Sequence, residues 1–401
     1  MSFYAYHPDW PHHEAIQEQA TRWQRRGLLT AGQLAAAQAR FPLDFYRPHL
    51  FLRIGLFLFT TLGALAGAGF VGMMFQFNFL GTLIVSLIIG AVVLEMAIRG
   101  KRLYHSGADN ALLYLELLGL VVLIFYFTYE TLSSYPSPDP TPGTARLTVA
   151  LLLTQAVLLL ATLRYADRLV AVAAYLNGLL LLGNVLLLLP HGTLLLPFAL
   201  CAASAAAYLW FTRQLQRPER LYYHRCLGLL RGLALGTAYL AVNYWAVREG
   251  NMALMAPEYH SYAFVAPQIP LAWLFCLLTA TIPLFYLVQG LRRPDRTWLW
   301  LGLLTAAFSV FTLRYYRSLL PAETAATLAG AFFVALAVWA TRYLHSARHG
   351  LTSAPDDAED PQLDLESLVV AQTAHSAPAA ATAGVQFGGG HSGGGGATGA
   401  Y

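Results

Sequence analysis

Residues 50–74 read LFLRIGLFLFTTLGALAGAGFVGMM, with Arg53 as the one charge. A bilayer core of about 30 Å takes about 20 helical residues to cross, so this run is long and apolar enough to span. It lacks the period-two alternation of a barrel strand. A helix is required in lipid, because backbone groups must find their partners within the segment.

Further runs of the same kind follow at 79–98, 110–131, 146–164, 168–189, 193–212, 224–247, 270–291, 297–313 and 322–342. Composition agrees. The chain of 401 residues is 57% hydrophobic and 11% charged, whereas soluble domains carry roughly 25% charge. The expected fold class is all-α, a polytopic transmembrane helix bundle of about ten spans over 50–342. Eight or nine spans follow if a run is re-entrant or interfacial, and 297–313 is the shortest.

The loops alternate in basic residues, which sets orientation by the positive-inside rule. Arg22, Arg25, Arg26, Arg40, Arg47 and Arg53 precede or open the first span. Arg99, Lys101 and Arg102 follow the second, Arg164 and Arg168 the fourth. Arg213, Arg217, Arg220 and Arg225 follow the sixth, and Arg292, Arg293 and Arg296 the eighth. The intervening loops are nearly bare, and only Arg314 and Arg317 run against the pattern. Both termini are therefore expected in the cytoplasm, and the protein in a bacterial inner membrane. The polar opening does not read as a cleavable signal.

Residues 1–49 read as a cytoplasmic helical hairpin. A charged helix at 13–26 stops at Gly27. Thr30-Ala31-Gly32-Gln33 is a capping box that opens a second helix through Ala35–Arg40 to Pro42. Leu28, Leu29 and Leu34 would pack it on Trp23. This hairpin reads either as a cap on the membrane core or as a docking surface for a cytoplasmic protein. Residues 343–401 turn acidic (Asp356, Asp357, Glu359, Asp360, Asp364, Glu366) and then Gly-rich, a composition expected to be disordered.

Ionisable groups inside a membrane are costly and are functional suspects. Arg53, Glu95, Glu116 and Arg231 stand at similar depth and would form one ion-pair network. It would either hold the helices in register or make a cytoplasm-facing site, with Glu116 carrying the proton and Arg231 as its partner or an anion anchor. Asn177, Asn184 and Gln155 mark a polar face, read as interhelical bonding or a cavity lining. Gly228, Gly232 and Gly236 form a small-residue stripe for close helix packing, placing the seventh span at the bundle centre.

Chemistry-bearing motifs are missing. There is no HExxH or P-loop pattern. Cys201, Cys226 and Cys276 all lie in apolar runs, so neither a disulfide framework nor a metal site is expected. His7, His12 and His13, beside Asp9 and Glu14, match no zinc spacing and read as a solvated, poorly ordered N-terminus. No basic cluster suits nucleic acid. No cofactor is called for.

Two stretches resemble known families. Trp23-Gln24-Arg25-Arg26-Gly27-Leu28-Leu29-Thr30-Ala31-Gly32-Gln33, followed directly by spans, resembles bacterial "predicted membrane proteins" that pair a cytoplasmic helical hairpin with a multi-span core. That family has no established activity. The tail, with Gly393–Ala397, Gly399 and Tyr401, is similar to the C-termini of TPM-domain membrane proteins, although the TPM domain itself is not evident. The similarity implies a shared partner that reads or processes the tail. The expectation is a non-enzymatic assembly, signalling or envelope-homeostasis protein acting through its cytoplasmic ends. The alternatives are a small-solute or ion transporter using the Glu/Arg cluster, and, ranked last, a membrane enzyme acting on lipid.

Overall fold

In the computed structural model, the described residues are 4–46, 48–76, 78–130, 141–254, 268–292 and 295–316, with nine further positions between 324 and 342. The helices among them are α1 (Trp10–Arg25), α2 (Ala31–Arg40), α3 (Leu50–Met74), α4 (Phe79–Lys101), α5 (Ala108–Glu130) and α6 (Ala145–Tyr165). Next come α7 (Arg168–Leu187), α8 (Gly192–Leu215), α9 (His224–Val242), α10 (Tyr244–Leu254), α11 (Ala272–Arg292) and α12 (Arg296–Tyr316). A 3-10 turn at Pro218–Tyr223 leads into α9. Strand pairing among the described residues is limited to an isolated bridge between Tyr46 and Leu103.

Nine of these helices, α3–α9, α11 and α12, are long and apolar enough to cross a membrane. The architecture is an all-α polytopic bundle. Its outer faces carry large bare side chains: Phe59 is 77% exposed and Trp300 73%. A soluble surface does not sustain such apolar patches, whereas lipid does. Most of the tenth expected span, 322–342, lies outside the described residues, although positions 324, 327, 330, 331, 334, 335, 338, 339 and 342 are helical. Residues 255–267 and the tail 343–401 also lie outside them.

Polar caps set the helix ends. Asn78, Thr144 and Asp167 each accept backbone N–H bonds at the starts of α4, α6 and α7, filling donors that a helix start leaves open. Thr30 and Gln33 form the reciprocal capping box of α2, and Gly27 has a φ of +70°, which favours glycine.

The seventh expected span, 224–247, is corrected: α9 ends at Val242. Asn243, fully buried, is extended at φ −67° and ψ 130°. Its Oδ1 accepts from Trp245 N at 3.0 Å and Ala246 N at 3.2 Å, starting α10 afresh. An asparagine side chain that offers the backbone an alternative partner stops one helix and caps the next. The ninth span, read as the shortest, is a full helix of 21 residues.

α9 is the most enclosed span and packs on α7, α8, α10, α11 and α12. Two glycines of its stripe face α12. A Cβ at Gly232 would meet Thr297 at 3.3 Å and one at Gly236 would meet Leu301 at 3.9 Å, both on α12, but nothing lies within 4 Å of Gly228.

The N-terminal reading is also corrected. Leu28 and Trp23 are 67% and 44% exposed, so they do not make the hairpin's core. The chain before α1 is built into the bundle: Ala5 N donates to Arg164 O at 3.0 Å, and Tyr6 is 2% exposed. Tyr6 sits with Leu94, Ile98, Tyr104, Leu112 and Leu113 in one apolar cluster.

Candidate functional site

Where the end of α4, the start of α5 and the α6–α7 junction meet, two carboxylates are buried side by side. Asp109 is fully buried and accepts four bonds: from Tyr6 Oη at 2.7 Å, His105 N at 2.9 Å, Ser106 N at 2.8 Å and Ser106 Oγ at 2.9 Å. Asp167, 3% exposed, accepts from Asn110 Nδ2 at 2.7 Å, Tyr114 Oη at 3.0 Å, and the N–H groups of Leu169 and Val170. Each of these hydrogen bonds brings a donor to a carboxylate oxygen.

His105 touches both: its backbone N donates to Asp109, and its ring Nδ1 lies 3.8 Å from Asp167 Oδ2. Burial pushes the imidazole below its ordinary range. The Asp109 and Asp167 carboxylates pull the other way, and Arg225 and Arg168 add to the lowering. Burial, with the Asp109 charge second, holds the Tyr6 phenol well above its ordinary range, so Tyr6 keeps the proton that it donates to Asp109. With both carboxylates saturated by donors, the arrangement holds loops together and offers no free base.

A second anchor fixes α1. Arg225, at the start of α9, reaches Glu14 and Glu18, each at 2.9 Å. Glu14 is 2% exposed.

The four expected charges do not converge. Glu95 is held by Arg164 of α6, through both Nε and Nη2, by Tyr165 Oη at 3.1 Å and by Arg99 at 3.2 Å. Arg231 bonds Asp295 at 3.0 Å and Thr297 at 3.1 Å at the start of α12. Arg53 opens α3, and its carbonyl abuts Gly107. Glu116 packs on α4 at Gly90, where a Cβ would overlap the carboxylate, its carboxyl carbon 2.8 Å away. No hydrogen bond or ion pair joins Glu116 to another described residue. The single network gives way because Glu95 and Arg231 each pair with a charge of a different neighbouring segment, Arg164 and Asp295.

The polar face divides likewise. Asn177 donates to Leu151 O at 3.0 Å and Gln155 Oε1 at 2.8 Å. Asn184 accepts from Gly143 N at 2.7 Å and donates to Thr144 O and Thr148 Oγ1. Both stitch α7 to α6, the interhelical reading of these residues.

Sequence reasoning missed Tyr6, His105, Asp109, Asp167 and Asp295. The signal was present for the acids: each stands just before or just inside an apolar run, the place of a capping carboxylate. Among the described residues no group of three or more His, Cys, Asp or Glu side chains is placed to hold a metal ion. In comparisons with known proteins, no family model, curated protein or solved structure matches this chain.

Proposed function

We propose that this chain is a non-enzymatic multi-pass protein of a bacterial cytoplasmic membrane, with both termini in the cytoplasm. It works in assembly, signalling or envelope homeostasis through those ends. The observation that carries this reading is the state of the N-terminal hairpin. α1 is anchored through Glu14 and Glu18 to Arg225, while α2 has no buried residue and Trp23 and Leu28 stand out from the surface. An element held rigidly at one face and bare at the other suits a docking partner. The Gly-rich tail is a second contact for such a partner, and we place the chain with the hairpin-bearing predicted membrane proteins it resembles.

Paired intramembrane charges favour this over transport. Glu95 and Arg231 are spent on helix contacts, as are Asn177 and Asn184. In-cell photocrosslinking from position 28 of the full chain tests the reading. A discrete protein adduct that disappears in Trp23→Glu supports it. Absence of any adduct from positions 23, 28 and 34 overturns it.

Glu116 favours a second reading, ion transport, since no other described residue pairs with it. Proteoliposome flux that is lost in Glu116→Gln would support that reading, and unchanged flux would exclude the residue.

A further inference from the structure

Nine threonines of the spanning helices bond back to the carbonyl four residues earlier: Thr61, Thr128, Thr148, Thr162, Thr212, Thr237, Thr279, Thr281 and Thr305. This is the usual way to satisfy a hydroxyl in an apolar helix. Thr154 of α6 departs from it, and so do Thr82 and Ser86 of α4. Their hydroxyl oxygens are buried and have no partner among the described residues.

Thr82 and Ser86 lie on the α4 face turned to α5. Leu83, Ser86, Leu87 and Gly90 follow the i, i+3, i+4, i+7 spacing of one helix face. Leu83 and Leu87 crowd Gly119 of α5, and Gly90 lies under Glu116 of α5. Thr82 continues that line one turn further. Three oxygen-bearing side chains, Thr82, Ser86 and Glu116, therefore follow the seam between α4 and α5. The line begins about 5 Å from the Phe79 end of α4 and runs for about 12 Å to Gly90. Any side chain at position 90 would block the carboxylate. Unsatisfied buried polar groups call for an explanation, of which a bound ion or water is one.

We propose that Glu116, with the Ser86 hydroxyl one turn along α4, forms an intramembrane binding site for a monovalent cation, a proton or Na+, reached from the Phe79 end of α4 past the Thr82 hydroxyl. A carboxylate and hydroxyls are hard oxygen ligands suited to such ions, and an anion would be repelled. The helices packed on α5 are α3, α4 and α6. Their charged groups are Arg53 at the start of α3, Glu95, Arg99 and Lys101 toward the end of α4, and Arg146 and Arg164 at the ends of α6. None bonds Glu116, and Glu95 is taken by Arg164 and Arg99. The site deepens the second reading above. It is tested by occupancy rather than flux, so a bound cation without transport remains distinguishable.

The test is modification by N,N′-dicyclohexylcarbodiimide of the purified full-length protein in phosphatidylcholine vesicles. The protonated carboxyl gives its proton to a carbodiimide nitrogen and its oxygen to the central carbon. An O-to-N shift then leaves a stable N-acylurea with no leaving group. Mass spectrometry of the Glu116 peptide is the readout. The proposal predicts labelling at mildly acid pH, its loss at alkaline pH, and no labelling in Glu116→Gln. Protection by NaCl but not by choline chloride assigns the site to Na+; no protection assigns it to the proton. Ser86→Ala, a mild change that leaves the apolar seam intact, should move the pH profile or abolish Na+ protection. Labelling that ignores pH, Na+ and Ser86→Ala overturns the proposal. So does absence of labelling at every pH when the unfolded chain is modified at Glu116.

Discussion

The Tyr6 hydroxyl donates to Asp109 Oδ2 at 2.7 Å, across 103 residues of chain. This bond ties the segment before α1 to the start of α5, and it ends on a fully buried carboxylate. A hydrogen bond to a charged group contributes about 2 kcal/mol. Tyr6→Phe keeps the ring in its cluster and removes the donor, so it should lower unfolding stability by about that amount. It should also speed proteolysis after Arg25 and Arg26. Denaturant unfolding in detergent checks the first effect; an unchanged midpoint would mean that the bond contributes nothing net.

Gly107 and Gly32 should respond oppositely to alanine. Gly107 has a φ of +101°, and a Cβ there would run into the Arg53 carbonyl. Both the backbone and the close approach demand glycine, so Gly107→Ala should fail to fold or lose well over about 1 kcal/mol. Gly32 lies inside α2 with nothing within 4 Å. Gly32→Ala should gain about 0.5–1 kcal/mol. Thermal melts of the two variants give the comparison.

Glu95 should couple to Arg164 and not to Arg231. Their side chains are 28% and 30% exposed, so water and headgroups discount the pair. A double-mutant cycle of Glu95→Gln with Arg164→Ala should give a coupling of about 1 kcal/mol. The cycle of Glu95→Gln with Arg231→Ala should be additive within about 0.5 kcal/mol. Equal coupling in both cycles would restore a single network.

His105 should make the hairpin junction sensitive to acid. Its folded value is lowered, chiefly by burial, against an unfolded value of about 6.5. Below that value the unfolded chain takes up the proton more readily than the folded one. The contribution is complete above about pH 6.5 and is lost as pH falls toward the lowered folded value. Acidification from neutrality should reduce the melting temperature, and His105→Gln should flatten part of that slope. An identical slope in the variant would remove His105 from the account.

Much of the membrane bundle could be read from hydropathy alone, because lipid leaves a chain few alternatives to helices of spanning length. Leu50–Met74 matches its helix end to end. Hydropathy failed at Asn243, where one buried amide breaks a helix that composition would have continued. It failed again at Tyr6 and Asp109, whose meeting depends on tertiary packing between distant segments. Charges were legible as costly but not as paired. Partners such as Asp295 and Arg164 sit at helix ends, and their roles depend on which helices are neighbours.

The functional reading rests on the hairpin facing the cytoplasm. The native cysteines Cys201, Cys226 and Cys276 all lie in spanning helices, so a cysteine introduced at an exposed position can be followed against little background. Labelling of Leu28→Cys and Thr141→Cys by a membrane-impermeant maleimide in spheroplasts is the most direct test. The account predicts that position 141 labels in intact spheroplasts and position 28 only after the membrane is permeabilised. Labelling of position 28 from outside would contradict it.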